Sequence, residues 1–242
     1  MGVTLAQDNK LIRSLVQNTK LGSNSSFEQL FKLNAGRVYS VSLRLTADPS
    51  FAEEITKEVF VKTWRQILHV RENVTFSLWI TAIAVYTILD KFRDKQLLER
   101  LGRGGKTHSA PYDSDVDETL LIEKAVLSLP NRDRFIFVLH DIEKYSDLEV
   151  ADLLSAKVDD INKRLEIIRQ SLALVGGVER DSPIEEKIKL LPYNIEPLHS
   201  LWEDIFKQIN QIKSGSEEVE PEKPEEEQPV EKKGVLSWFK KK

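Results

Sequence analysis

The chain is 242 residues long, carries 35 lysines and arginines against 39 aspartates and glutamates, and has no cysteine. At 40% hydrophobic and 31% charged residues it has the apolar surface for one large or two small globular units, which excludes a wholly disordered chain; the missing cysteines exclude disulfides, thiolate zinc sites and sulfur nucleophiles. Formal charge is uneven, +6 over residues 1–106 and −7 over 107–181, so a uniform nucleic-acid coat is excluded and any contact with phosphate must be local.

Leu11, Ile12, Leu15 and Val16 recur at helical spacing behind Asp8, a candidate N-cap, and Gly22-Ser23-Asn24 closes the segment. The charges Asp8, Lys10 and Arg13 inside this stretch argue against a secretory leader, and with the lack of cysteine they predict a cytoplasmic protein. Ser25 and Glu28 then fit a capping box, followed by the helical stripe Phe27, Leu30, Phe31, Val38, Val41 and Leu45. Asp48-Pro49 is a strong start signal, because Asp accepts from free amides and Pro at the first helical position gives up no hydrogen bond.

The third helix is expected from Pro49 to about Ile67. Ile55, Val59, Phe60, Trp64 and Ile67 make its apolar side; Glu54, Lys57, Glu58, Lys62 and Arg65 lie largely outside it, with Glu58 and Lys62 at supportive i, i+4 spacing. The longest uncharged run, residues 73–89, falls short of the roughly 20 apolar residues that cross a bilayer, and so predicts a buried fourth helix over about Phe76 to Arg93.

Residues 101–117, with three glycines and a proline, read as a flexible linker. Beyond it, Ile122, Ala125, Val126 and Leu129 mark one helix, and Pro130 opens another bearing Phe135, Ile136, Leu139 and Ile142. Ser146 and Glu149 form a second capping box, after which two short helices flank a turn at Ser155 to Lys157, the pattern of a helix-turn-helix. No alternating strand pattern competes. The fold expected is all-α, with a helical domain over 1–100, the linker over 101–117, a helix-turn-helix domain over 118–176, a helical extension over 177–213, and an acidic, Pro-rich disordered tail over 214–242. In the extension, Leu198, Leu201, Trp202, Ile205, Ile209 and Ile212 make an apolar face suited to docking on the preceding domains.

This order of segments resembles the extracytoplasmic-function group of bacterial RNA polymerase sigma factors, which join a region-two helical domain to a region-four helix-turn-helix. The resemblance covers about residues 8–174 and is carried by Phe27 to Phe31, the run Ala52 to Trp64, and Phe76 to Arg93 with Trp79, Ile83, Ala84, Asp90 and Arg93. In the second half it is carried by Leu127 to Arg134 and by Tyr145 to Leu154. It implies a sigma factor that binds core RNA polymerase and directs promoter-specific initiation, with an anti-sigma factor or another regulator as a further partner.

The resemblance further implies that the third helix docks on the polymerase through Glu54, Lys57, Glu58, Val61 and Lys62, a mixed-charge strip able to fix register on a charged partner. Trp79, Tyr86, Lys91 and Arg93 are the candidates for melted promoter bases, which need aromatic platforms and cations. Lys157, Asn162, Lys163, Arg164 and Arg169 are the candidates for the duplex major groove. The chain departs from the family at Val85-Tyr86, where Arg-Asn is usual, at Ser155, where Gly is usual, and at Asp159-Asp160, which repel phosphate. These departures keep a second reading open, a degenerate sigma-like interaction module that sequesters polymerase or a regulator without reading promoters.

His69, His108, His140 and His199 are widely spaced, and no phosphate-cradling loop or nucleophile elbow occurs, so neither catalysis, metal nor cofactor is expected. The final apolar cluster with Trp238 and Phe239, followed by Lys240, Lys241 and Lys242, suits weak contact with an anionic membrane or a partner groove.

Overall fold

Several helix ends are set by local devices that satisfy free backbone groups. The computed structural model describes residues 2–70, 75–93, 118–173, 188, 191 and 201–213, and among these every regular element is helical. The expected linker over 101–117 and the tail over 214–242 lie outside the described residues.

Helix α1 (Gly2–Lys20) starts ahead of Asp8, which therefore sits inside the helix rather than at its cap. No Gly or Pro interrupts residues 3–20, so nothing stops the helix from extending upstream. Its end is a Schellman turn. The Gly22 amide donates to Thr19 O at 2.8 Å and the Ser23 amide to Asn18 O at 3.1 Å, with Gly22 at φ +91°. Space is open around Gly22, so it is the left-handed backbone that calls for glycine there.

Helix α2 (Asn24–Thr46) is capped by Ser23, not Ser25: the Ser26 amide donates to Ser23 Oγ at 3.2 Å. Glu28 instead pairs with Lys32, 2.7 Å away. Ala47 turns the chain at φ 54°, and helix α3 (Pro49–Gln66) begins with the Phe51 amide donating to Asp48 Oδ1 at 3.0 Å, the cap read from Asp48-Pro49. A short 3₁₀ turn, Ile67–His69, follows it. Helix α4 (Phe76–Arg93) is buried almost all round, with Ile80, Ala82, Ala84, Val85 and Ile88 fully inaccessible.

Helix α5 (Glu118–Ser128) precedes Pro130, which occupies the N-cap position of α6 (Asn131–Phe137). That helix runs on into a single π turn, Val138–Ile142. Helix α7 (Asp147–Leu153) has the full capping box: the Ser146 amide donates to Glu149 Oε2 at 2.9 Å while Ser146 Oγ accepts from the Glu149 amide. Ser155 turns the chain at φ 51°, a left-handed position suited to the glycine usual there, and helix α8 (Val158–Ala173) completes the helix-turn-helix. Helix α9 (Leu201–Lys213) is the last described element.

The chain divides into two compact units. One contains α1, α2 as far as Tyr39, α3 from Glu53, α4 as far as Thr87, and α9. Its core is an aromatic cluster in which Phe27 meets Trp64 edge-on at 5.0 Å, Phe31 meets Phe60 at 4.9 Å, and Trp202 of α9 lies 5.2 Å from Phe31. The other unit contains the end of α2 from Ser40, the start of α3, α4 from Ile88, and α5 to α8. There Arg44, 2% exposed, forms a forked pair with Glu123, and Phe92 meets Phe135 edge-on at 5.0 Å.

Candidate functional site

Helix α3 packs one side into the first unit, with Ile55, Thr56, Val59, Phe60 and Thr63 at 0% exposure, and this rigid seating fixes the direction of its charged side. Glu54 and Arg65 are exposed. Glu58 and Lys62 pair with each other at 2.8 Å, both about one-third exposed, and Lys62 Nζ also donates to Thr87 Oγ1 on α4 at 3.1 Å. Val61 is buried at 8%, so within the expected strip it supplies packing beneath the charges rather than a protruding contact. Lys57 Nζ lies 3.1 Å from Asp204 Oδ2 of α9, so this edge of the strip is already engaged within the chain.

The residues expected at melted bases are placed differently from one another. Trp79 is 3% exposed with its ring 5.9 Å from Phe76, so its faces are occupied by protein in this conformation. Tyr86 is half-buried. Lys91 Nζ stands 5.9 Å over the Phe51 ring, a cation–π arrangement that holds the ammonium near the end of α4. Arg93 is the last residue of α4. Nearby on the same helix, Thr81 Oγ1 accepts from Arg37 Nε at 3.1 Å and donates to Ser77 O.

On the helix-turn-helix, Lys157, Asn162 and Lys163 are exposed. Arg164 is committed elsewhere: its Nε and Nη2 donate to the two oxygens of Asp133 at 2.5 and 2.7 Å, and that hydrogen-bonded, charged partner raises its pKa above the ordinary arginine value. Arg169 likewise forks onto Asp141, which is buried at the π turn of α6, beside His140. Asp159 and Asp160 are exposed in the first turn of α8, where the helix dipole favours carboxylates but where a groove-reading helix would meet phosphates. Of the five groove candidates, two therefore brace α8 against α6 and three face outward.

Residues that sequence reasoning missed do much of this bracing. Arg134 donates to Leu45 O, Leu127 O, Leu129 O and Asn131 Oδ1, taking up carbonyls left free at the ends of α2 and α5. Burial lowers its pKa to about 10, still far above neutrality, so the guanidinium is charged and can serve all four acceptors. The Arg132-Asp133-Arg134 order gave no sign of which guanidinium turns inward, because one of the acceptors that draw Arg134 in, Leu45 O, is 89 positions away.

Among the described residues no helix is long and apolar enough to cross a membrane, and no group of three or more His, Asp or Glu side chains is arranged to hold a metal ion.

The sigma-70 region 2 family model matches residues 30–97, the span from α2 through α4 that holds the α3 strip, Trp79, Tyr86, Lys91 and Arg93. The extracytoplasmic-function RNA polymerase sigma factor SigW of Bacillus subtilis is 25% identical over 177 residues, covering 67% of this chain and 95% of that protein. The corresponding factor SigE of Mycolicibacterium smegmatis is 26% identical over 155 residues, covering 61% of this chain and 60% of that protein. Among solved structures, the sigma factor RpoE in complex with the anti-sigma factor NepR from Bartonella quintana is similar with a TM-score of 0.46 and 17% identity, covering 61% of this chain and 94% of that one. The chain is thus similar to extracytoplasmic-function sigma factors, with the sigma-70 region 2 match confined to residues 30–97.

Proposed function

We propose that this protein binds core RNA polymerase through the outward side of α3 and directs it to specific promoters. The observation that carries the reading is the α3 strip itself: Glu54, Lys57, Glu58 and Lys62, stiffened by an inner side at zero exposure and lying within the sigma-70 region 2 match. Such a mixed-charge surface sets register and partner choice on a charged surface more than raw affinity. The first domain over 1–100 carries this contact and, through Trp79, Tyr86, Lys91 and Arg93, the handling of melted bases; the domain over 118–176 approaches the duplex through Lys157, Asn162 and Lys163. Because the Trp79 indole is buried, base stacking on it requires α4 to shift when promoter and polymerase are bound. An anti-sigma factor is a further partner on this reading.

The test combines the purified full chain with core polymerase on a library of promoter fragments and scores both complex formation and specific transcripts. The expected result is capture of the polymerase with transcripts from a defined promoter class. Capture without specific transcripts overturns the promoter-reading half, and failure to capture polymerase overturns both halves.

A further inference from the structure

We infer that α9 is a built-in competitor for the polymerase-docking edge of α3, seated over Lys57 so that α9 and the polymerase take turns on one surface. The inference rests on the docking reading above and adds a regulator that the chain itself carries.

Burial of one side of α9 and five contacts within the first unit define the seat. Leu201, Ile205 and Ile209, spaced four residues apart on one side of α9, are 2, 0 and 1% exposed, so the apolar side of the helix is fully covered. Trp202 extends that side, 5.2 Å from Phe31 and 6.3 Å from Phe27 of α2, with Phe206 stacked on it at 5.6 Å. At one end Asp204 pairs with Lys57 at 3.1 Å. At the other, Lys213 stands 4.6 Å over the Trp64 ring and donates to Asn24 Oδ1 at 2.5 Å. Lys57 and Trp64 are seven residues apart on α3 and so share a side, which places α9 alongside that edge for about two turns.

A helix packed against α3 sits about 8–10 Å from its axis, and α9 already holds that place along the Lys57 edge. While Asp204 holds the Lys57 ammonium, an outside carboxylate must compete with it for that charge. Glu54 and Arg65, farther round α3, are exposed.

The strap is also weak enough to move. With 13 residues, α9 is at the lower limit of roughly 12–15 residues for an isolated helix, so once released it does not persist as a rival surface. The Asp204 carboxylate is 56% exposed, and such a pair holds two charges in register without locking them.

The experiment uses the full chain carrying either Asp204→Lys, which faces Lys57 with a like charge at an exposed position, or Ile205→Asp, which puts a carboxylate into the apolar seat. Amide hydrogen exchange over residues 201–213 reports whether α9 has left, and a binding titration with core RNA polymerase reports the consequence. If α9 is seated nine-tenths of the time, its release tightens the apparent Kd about tenfold. The expected result is faster exchange in α9 together with tighter polymerase binding in both variants. Faster exchange with unchanged or weaker polymerase binding overturns the strap while leaving docking intact. If neither the released variants nor the parent binds polymerase, the docking reading falls and the strap with it. Should Ile205→Asp lose its helical signal altogether, Asp204→Lys decides the matter, since an exposed side chain is not needed for folding.

Discussion

At the scale of single residues, buried charge separates the two kinds of ion pair in this protein. Arg44 is 2% exposed and Glu123 12%, and their forked hydrogen bonds are the partner set that makes so buried a guanidinium tolerable. Glu123→Ala leaves that guanidinium without its counter-charge and is expected to cost about 3–5 kcal/mol in urea unfolding, whereas cutting an exposed pair such as Lys32–Glu28 is expected to cost less than about 1 kcal/mol. Equal losses from the two changes would show that burial is not what gives the Arg44 pair its weight. Thr63 is the converse case. Its hydroxyl is fully buried on α3 without a hydrogen-bond partner among the described residues, so Thr63→Val, which keeps the shape and removes the polar atom, is expected to raise stability by about 1 kcal/mol.

Local signals explain why some elements were legible in the sequence and others were not. Asp48-Pro49 located the start of α3 because the cap, the proline and the amide they serve lie within four residues of one another. The boundaries of α4 followed from an apolar run that nothing but a helix buried on several sides could absorb. The start of α2 was misplaced by two residues because Ser23, Ser25 and Ser26 are all competent caps, and the choice is made upstream by the Schellman turn at Gly22, which delivers Ser23 to the cap position. In the candidate site, the identity of the charged strip on α3 was legible from its period. Its occupancy by Asp204 was not, because the two residues are separated by 147 positions. The same holds for Arg164, whose acceptor Asp133 is 31 positions away. For the helix-turn-helix the legible device is the capping box, and Ser146→Ala, which removes the acceptor for the Glu149 amide, is expected to destabilise it by about 1 kcal/mol, read as a lower midpoint in chemical unfolding. An unchanged midpoint would mean that packing of Val150 and Leu153 alone sets where α7 begins.

For the molecule as a whole, the charge division decides how it can meet DNA. The basic first part, +6 over residues 1–106, supplies attraction to phosphate, while the acidic second part, −7 over 107–181, opposes it. Lys157, just ahead of α8, and Lys163 within it are exposed, whereas Arg164, also exposed, and the half-buried Arg169 are held by Asp133 and Asp141. Each cation that neutralises a duplex phosphate contributes about 0.9 to the slope of log affinity against log salt. Replacing both, Lys157→Ala with Lys163→Ala, is therefore expected to flatten that slope by about 2 for binding of the full chain to a promoter duplex. Asp159→Asn with Asp160→Asn removes two carboxylates from the first turn of α8, the end proposed to face the groove, and is expected to tighten the same complex, most at low salt, where their repulsion of phosphate is least screened. A slope that stays the same in the lysine variant, together with unchanged affinity in the aspartate variant, would mean that α8 never approaches the duplex and that the basic first part makes the DNA contact by itself.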